Sequence, residues 1–282
     1  MSEDVLIEKR NDGVALITLN RPDSLNAMGG SLMPMLAEHL ADVANDRHVR
    51  CVVLTGAGRA FCAGGDVKGM AAGRDAILHA ATNGGAGAEP PSPALGFARG
   101  VEGLRAAQRG TSYVLHTMLK PTIAMVNGHA VGAGLSLALA CDIRIASDRA
   151  KLGTIFRNVG FSGDFGGSYF LPRLVGNGKA RELYFTGEVL GAEDALKIGM
   201  VNRVVEHDQL AAETLAFAAQ LASGPTLAFA RMKENLNRSE DCDLGVLLDQ
   251  EAMNMQLSST TADHRDAAKA FVEKRQPSFR GG

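Results

Sequence analysis

The sequence predicts an α/β fold that is followed by a helical C-terminal region. Short apolar strand patterns alternate with helical patterns through the first 205 residues. From Pro225 onward only helical patterns remain. An alternating part followed by an all-helical part is typical of an α/β core with a helical extension. We therefore predict two parts, residues 1–205 and residues 206–282.

Each predicted element depends on its own pattern. Apolar runs rich in β-branched residues predict strands at residues 14–19, 51–55, 121–126, 143–146 and 200–205. Apolar residues at helical spacing predict helices at residues 31–43, 135–140, 178–185, 192–198, 209–222, 227–236, 244–257 and 262–274. The order of these elements gives the fold class stated above.

A segment from about residue 71 to residue 111 interrupts the alternation. Residues 80–93 are low in complexity and rich in Gly, Ala and Pro, so they cannot bury a core of their own. We predict a loop here. A long loop inside a compact domain is often a lid over a site.

Composition and charge exclude several classes of protein. The 282 residues carry a net charge of −2, which provides no basic surface for nucleic acid. No run of 18 apolar residues exists to span a membrane, and the acidic N-terminus is unlike a signal peptide. Four widely spaced cysteines, without metal-ligand spacing, are expected to be buried thiols: Cys51, Cys62, Cys141 and Cys242. We expect a cytoplasmic protein with no nucleic-acid or membrane partner.

Three glycine-rich segments resemble known motifs but lack an essential residue. Residues 56–61 begin like a dinucleotide fingerprint, but Phe61 replaces its third glycine. Residues 176–180 end like a phosphate loop without the hydroxyl that would bind magnesium. Residues 160–164 lack the final glycine of a nucleophile elbow. We assign none of these three functions.

Two other segments of small residues could together bind one carbonyl oxygen. Residues 63–66 follow a strand, and residues 132–134 open a helix. A helix N-terminus has free N–H groups, and small residues let a carbonyl oxygen approach them. Two such donors would form an oxyanion hole. Close packing of glycine turns explains the same pattern, so the residues alone leave both interpretations open.

Asp164 is the candidate acid, because it lies between apolar and flexible residues. In a dry pocket it would be a base with a raised pKa. A turn or a helix N-cap before residues 168–171 explains the same residue equally well. Asp66 and Asp142 each follow a turn and are interpreted as structural, and His39 lies on an apolar helix face.

Several ordered motifs together resemble those of the crotonase (enoyl-CoA hydratase/isomerase) superfamily. The resemblance extends over about residues 5–279, outside the insert. It depends on residues 61–67 (FCAGGDV), 126–134 (VNGHAVGAG) and 141–146 (CDIRIA), and on shorter matches at 19–22, 25–27, 185–188, 192–195 and 199–201.

The resemblance implies a fold, a substrate and an assembly. The fold would be a spiral of ββα turns with a C-terminal helical trimerisation region, and trimers of this family often pair into hexamers. The substrate would be an acyl-coenzyme A thioester, with no metal and no separate cofactor. By position, the N–H groups of Gly65 and Ala133 would hold the thioester oxygen. The implied coenzyme A contacts are Leu25, Ala27, Ala63, Gly64, Asp66, Val67 and Lys68.

The chain departs from the family's hydratases at two positions. Hydratases use two glutamates, but Ser136 and Phe156 occupy the corresponding positions. Asp164 instead matches the carboxylate of several non-hydratase members, and the surrounding segments are most similar to 1,2-epoxyphenylacetyl-CoA isomerases of phenylacetate breakdown. The resemblance therefore implies double-bond isomerisation through a thioester enolate. Asp164 would move the proton, and Phe156 would line the pocket and exclude water.

Three alternatives stay open. In aroyl-CoA dehalogenases of the family, the aspartate at the position of Asp164 is a nucleophile, which would make this chain a hydrolase or dehalogenase of a coenzyme A thioester. A hydratase of fatty-acid β-oxidation would need an acid from the insert, for which the candidates are Asp75, Glu89 and Glu102. The third alternative is a coenzyme A-binding protein without turnover.

Overall fold

Ten β-strands form two sheets in the computed structural model, which describes residues 3–66 and 93–282. The strands are β1 (Val5–Lys9), β2 (Val14–Leu19), β3 (Cys51–Gly56), β4 (Ala60–Cys62), β5 (Thr122–Val126), β6 (His129–Val131), β7 (Ile143–Ser147), β8 (Lys151–Gly153), β9 (Val189–Gly191) and β10 (Arg203–Val205). The α-helices of the described ranges are α1 (Leu32–Asn45), α2 (Pro93–Gly110), α3 (Ser112–Thr117), α4 (Ala133–Ala140), α5 (Gly167–Val175), α6 (Asn177–Thr186), α7 (Ala192–Lys197), α8 (Leu210–Ala222), α9 (Thr226–Ser239), α10 (Leu244–Ser259) and α11 (Ala262–Glu273).

From β3 to β8, successive strands alternate between the two sheets. The larger sheet has the order β1-β2-β3-β5-β7-β10, and the smaller has the order β4-β6-β8-β9. Strands β3, β5 and β7 are parallel in the first sheet, and β4, β6 and β8 are parallel in the second. Each turn of the chain thus adds one strand to each sheet before a helix follows. This is the expected spiral of ββα turns, so the predicted fold class is confirmed.

The larger sheet is buried on both faces, which explains its continuous apolar strands. Because side chains alternate along β3, Val52 and Leu54 pack in one apolar cluster, which also contains the buried leucines of α1. Cys51 and Val53 pack in the second cluster, with Leu210 of α8. Helix α8 belongs to the predicted part 206–282, yet it packs on the sheet. These two helices enclose the strands that lead to the site.

Several elements differ from the sequence-based predictions. Strands β4, β6, β8 and β9 are only three residues long, too short for a periodic pattern, and β1 and α5 were also not predicted. The strand expected at 200–205 covers only β10. Within the insert of residues 71–111, residues 93–110 form α2, a helix that was not predicted. The low-complexity residues 80–92 lie outside the described residues.

The C-terminal helices are joined to the core by buried polar contacts. The Lys233 amino group of α9 is almost fully buried and donates to the Asp142 carboxylate at 2.8 Å and to the Leu115 carbonyl at 3.0 Å. Asp142 also accepts from the Thr122 N–H at 2.8 Å, at the start of β5. The structural interpretation of Asp142 is therefore supported by its contacts.

Cysteine burial and helix length bear on two further expectations. Cys51, Cys62 and Cys141 are buried free thiols as predicted, whereas Cys242 is only partly buried, at the end of α9 where the chain turns toward α10. Over the described ranges, no helix combines the length and the apolar content that crossing a bilayer requires.

Candidate active site

Asn26 fixes the turn between β3 and β4, from which the first glycine-rich segment emerges. Its side chain is fully buried, and its Nδ2 donates to the Ala57 carbonyl at 3.0 Å and to the Ala60 carbonyl at 2.8 Å. Its Oδ1 accepts from the Arg21 N–H at 2.8 Å. Asn26 has a φ of +56°, a left-handed conformation that asparagine tolerates better than most residues. The buried amide therefore holds two distant loops in register.

The segment that contains Leu25 runs alongside the segment that contains Gly64. The Ala63 N–H donates to the Leu25 carbonyl at 3.0 Å, and the Met28 N–H donates to the Gly64 carbonyl at 2.7 Å. Met28 and Gly65 form an isolated parallel bridge. These bonds hold residues 63–65 alongside residues 25–28.

The other side of residues 63–65 lies against the first turn of α4. A Cβ atom on Gly64 would lie 2.9 Å from the Val131 carbonyl oxygen and 3.3 Å from the Ala133 nitrogen. Gly64 also has a φ of +84°, which side chains rarely adopt. Glycine is therefore required here, and it lets the residue before Gly65 pack directly against the N-terminus of α4, where Ala133 lies.

Both of these N–H groups are free to bind a ligand oxygen. Ala133 is the first residue of α4, so it has no intrahelical acceptor, and its N–H carries the positive end of the helix dipole. Neither Gly65 nor Ala133 donates in the loop, turn and cap hydrogen bonds of the described residues. Gly134 packs against the Cys62 carbonyl, where a Cβ would clash. This arrangement has the form of an oxyanion hole.

Ser136 lies one helical turn further along α4 and is buried. Its Oγ is 3.4 Å from the Gly132 carbonyl oxygen, which is a long and weak hydrogen bond. The backbone of Gly167 packs against this side chain so closely that a Cβ there would be 2.5 Å from Ser136 Oγ. The hydroxyl therefore occupies a contact between α4 and the start of α5.

Asp164 lies in a loop of unusual backbone conformation. It is flanked by Gly163 (φ +104°) and Phe165 (φ +49°), and Gly166 follows with a φ of +82°. A bulky residue such as Phe165 in this region costs about 1–3 kcal/mol, so surrounding contacts must hold it. One such contact is the Phe165 N–H, which donates to Gln108 Oε1 of α2 at 2.9 Å. The loop thus directs Asp164 at the expense of backbone strain.

The Asp164 side chain is half-buried in a loop that packs on Phe156, and Phe156 also contacts Gly132 at the N-terminus of α4. Its Oδ1 has no hydrogen-bond partner among the described residues. Burial raises the pKa of Asp164 to about 6, because a low-dielectric environment disfavours the charged form. The Cys62 thiol, at the end of β4, lies within the field of this carboxylate, and burial raises the pKa of that thiol to about 12. Asp164 is therefore close to the segment that carries Gly65.

Phe156 forms an apolar wall between the N-terminus of α4 and the Asp164 loop. Its Cε1 would lie 3.8 Å from a Cβ on Gly132, and its Cδ2 would lie 3.7 Å from a Cβ on Gly163. The ring is almost fully buried. It thus contacts both the residue before the helix N-terminus and the residue before Asp164. That Phe156 lines a substrate pocket stays a prediction.

Sequence reasoning missed Tyr184, on α6. Its ring stacks on Phe156 with centroids 6.0 Å apart and an interplanar angle of 15°. A Cβ on Gly163 would lie 3.5 Å from its hydroxyl oxygen, and one on Gly167 would lie 2.6 Å away. The tyrosine is therefore beside the Asp164 loop. The sequence signal that could have identified Tyr184 was a tyrosine hydroxyl in the helix predicted at residues 178–185.

The remaining predicted residues fall into three groups. Leu25, Ala27 and Ala63 lie along the Gly64 segment, and Asp66 follows it, with its carboxylate 3.7 Å from the Arg21 guanidinium. Val67 and Lys68 lie outside the described residues, as do Asp75 and Glu89. Glu102 is on α2, exposed and paired with Arg105 at 2.7 Å, so the structure does not bring it to Asp164.

Two further observations concern other titratable groups. His39 Nε2 is buried without a partner among the described residues, consistent with a histidine on the inner face of α1. Within residues 3–66 and 93–282, no three His, Cys, Asp or Glu side chains are grouped as metal ligands would be.

Comparison with known proteins gives consistent matches over the whole chain. A sequence model of the Enoyl-CoA hydratase/isomerase family matches residues 9–85 and 106–282. The chain is 35% identical over 274 residues to the short-chain-enoyl-CoA hydratase of Clostridium acetobutylicum, covering 97% of this chain and 96% of that protein. It is 36% identical over 269 residues to the 1,2-epoxyphenylacetyl-CoA isomerase of Escherichia coli, covering 95% of each. The crystal structure of an enoyl-CoA hydratase from Bacillus anthracis superposes with a TM-score of 0.86 at 31% identity, covering 99% of this chain and all of that one.

Proposed function

Because this chain belongs to the enoyl-CoA hydratase/isomerase family, we propose that it is an enoyl-CoA isomerase that moves the double bond of an acyl-coenzyme A thioester. The observation that carries the proposal is the Asp164 carboxyl, whose Oδ1 is buried without a partner among the described residues and whose loop packs on Phe156, next to the N-terminus of α4. Ser136 and Phe156 occupy the positions at which the hydratases of the family have their two glutamates. One acid can move a proton between two carbons. Addition of water needs one group to activate the water and a proton source for C2.

The proposed reaction begins with the thioester oxygen between the two backbone N–H groups. Asp164 takes a proton from C2 of a 3-enoyl thioester, and the C2–H electrons form an enolate whose charge resides on that oxygen. The N–H groups of Gly65 and Ala133 stabilise this charge. The same carboxyl group then returns its proton to C4, which gives the 2-enoyl isomer. Coenzyme A takes part as a piece of the substrate, and the proposal requires no metal or separate cofactor.

Phe156 favours isomerisation over hydration in this proposal. Its ring separates Gly132 from Gly163 and fills space that a water molecule would otherwise occupy. Excluding water protects the enolate from unwanted proton exchange and strengthens the electrostatic interactions around it. The aromatic wall and the single acid therefore support the same reaction.

Hydration is the second candidate, because the relative from Clostridium acetobutylicum is a hydratase. A panel of 2-enoyl, 3-enoyl and aryl-acetyl thioesters, assayed for both reactions, distinguishes the two. Isomerisation of a 3-enoyl thioester creates the conjugated 2-enoyl product, so a rise in the conjugated absorbance that is not followed by its loss supports isomerisation. Dominant hydration of 2-enoyl thioesters would refute it. Trapping of a covalent acyl–Asp164 ester by mass spectrometry would instead indicate nucleophilic catalysis.

The pH dependence of isomerisation follows from the burial of Asp164. The carboxyl must be ionised to take the C2 proton, and its pKa is raised to about 6. We therefore expect kcat/KM to rise with pH through about 6 and to level off above it. A steady-state pH profile measures this. A plateau that extends unchanged to pH 4 would contradict the assigned base.

Replacement of Ser136 by alanine is expected to change the isomerisation rate less than about threefold, because its hydroxyl makes one weak contact with Gly132. Steady-state kinetics of the purified variant measure the effect. A loss above about a hundredfold would show that the hydroxyl takes part in the proton transfer.

We further propose a homotrimer, or a hexamer of paired trimers, in the cytosol. Support comes from the large apolar side chains exposed on the C-terminal helices of the described chain, among them Met232, Leu236, Leu244, Leu248 and Phe271. An apolar surface of this kind is typical of a protein interface.

The similarity to the Escherichia coli isomerase supports including aromatic thioesters, as in phenylacetate catabolism, among the candidate substrates.

A further inference from the structure

Tyr184 is held rigidly against the loop that carries Asp164. Its ring stacks on Phe156, with centroids 6.0 Å apart. The helix around it is joined to the site: Thr154 Oγ1 donates to the Leu183 carbonyl at 2.9 Å, and the Arg157 guanidinium donates to the Phe185 carbonyl at 2.9 Å. The position of the Tyr184 hydroxyl is thus fixed from two sides.

The hydroxyl lies between the two glycines that bracket Asp164. A Cβ on Gly163 would be 3.5 Å from it, and one on Gly167 would be 2.6 Å away. The same Cβ position on Gly167 would be 2.5 Å from Ser136 Oγ. The Tyr184 and Ser136 hydroxyl oxygens therefore lie near each other, beside Gly167. Tyr184 therefore faces the region between α4 and the carboxylate loop.

Two buried polar atoms in this region lack partners. Asp164 Oδ1 and the Tyr184 hydroxyl are both inaccessible to solvent and make no hydrogen bond with the described residues. Buried polar groups are nearly always paired, and exceptions often mark a functional site. One atom is an acceptor and the other carries an O–H donor, so each provides what the other lacks.

We propose that Tyr184 is a positioning residue for Asp164: its phenolic O–H donates a hydrogen bond to the ionised carboxylate and fixes the orientation of that group. The inference extends the proposed function, because it assigns the group that orients the proposed base. In the structure neither atom has a partner, so the proposed bond forms when the carboxyl group rotates toward the phenol in the free protein.

The phenol is suited to donate and not to act as a base. Burial and the nearby Asp164 raise the pKa of Tyr184 to about 12, so the hydroxyl stays protonated throughout the working range. The Cys62 thiol on β4 also lies within the field of Asp164, and burial raises its pKa, so it is neutral as well. From α4 the site presents Ser136, and from α2 it presents Gln108, both uncharged.

The test compares Tyr184→Phe with the wild type by following Asp164 itself. In Tyr184→Phe the stacked ring remains and only the donor is lost. Carbon-13 NMR of side-chain carboxyls, with the Asp164 resonance assigned by its loss in Asp164→Asn, reports the carboxyl pKa. Losing a donor to the charged form should raise that pKa by about one unit. An unchanged Asp164 pKa would overturn the proposal.

Tyr169→Phe is the matched control. That hydroxyl donates to the Glu240 carboxylate at 2.7 Å on the opposite side of α5, so its loss perturbs packing without removing a donor near Asp164. We expect no shift of the Asp164 pKa in this variant. An equal shift in both variants would show a general structural effect, which also overturns the proposal.

Kinetics provide the second measurement. The rising limb of the kcat/KM profile for 3-enoyl thioesters should move to higher pH in Tyr184→Phe by the same amount, with kcat lowered about tenfold and KM nearly unchanged. If the wild type does not isomerise these substrates, the proposed function fails while the NMR titration still tests the pairing. Isomerisation with an unmoved profile would instead refute the role of Tyr184 alone.

Discussion

Asp164→Asn is expected to lower the rate of double-bond isomerisation about a thousandfold, because the amide can neither take the C2 proton nor return it to C4. Binding of coenzyme A should change little, since the implied contacts lie along the Leu25 and Gly64 segments and not on the Asp164 loop. Steady-state kinetics and calorimetric titration with coenzyme A measure the two quantities. Unchanged turnover would refute the assignment of the base.

A stability measurement separates this loss from unfolding. Because the pKa of Asp164 is raised from 3.8 to about 6, the folded protein binds this proton more tightly than the unfolded chain does. The free energy of unfolding therefore decreases as pH rises through this interval, and it remains lower above it. Asparagine does not ionise, so it removes this decrease in the free energy of unfolding. At pH 7 the Asp164→Asn variant should therefore have a melting temperature equal to or higher than that of the wild type. A lower melting temperature would indicate that the carboxylate stabilises the fold.

The second large effect is expected from Ala133→Pro. Proline is well tolerated at the first position of a helix, and the preceding Gly132 already has a non-helical backbone, with φ +55° and ψ −129°. The substitution replaces one oxyanion-hole N–H with a ring methylene at the same place. Loss of one such donor costs about 10²–10³ in rate, and the added bulk increases the loss. Turnover of 3-enoyl thioesters measures it.

The control for this variant is Ala192→Pro. Ala192 is likewise a buried first residue of a helix, α7, and it likewise follows a glycine, but it belongs to no proposed part of the site. Circular dichroism should show that both variants are folded, and only Ala133→Pro should lose activity. Wild-type kinetics in Ala133→Pro would show that this N–H does not hold the thioester oxygen.

The oxyanion hole was the part of the site most accessible from sequence. Small residues at 63–65 and 132–134 are needed because neighbouring backbones approach to distances at which a Cβ on Gly64 or Gly134 would clash. That constraint comes from contact between the two distant segments, but each segment meets it with a run of small residues, which is a readable pattern. The same pattern also fits simple turns, and the family resemblance was needed to choose between the two.

The surroundings of Asp164 could not be predicted from local patterns. Tyr184 reaches the carboxylate loop only because α6 packs behind Phe156, a contact between residues that neighbouring sequence does not specify. The three-residue strands β4, β6 and β8 were missed for a related reason. They are stabilised by pairing across the spiral and not by their own propensity.

The hydrogen bond from the Phe165 N–H to Gln108 has a consequence for how this enzyme can change. Gln108 lies near the end of α2, which directly follows residues 67–92 in the chain, so a helix 57 positions away in sequence anchors the residue next to the base. Substitutions that shift α2 along its axis would therefore redirect the acid without altering any residue that touches the acyl group. In the proposed isomerisation, such a shift would change the carbon atom that the acid can protonate.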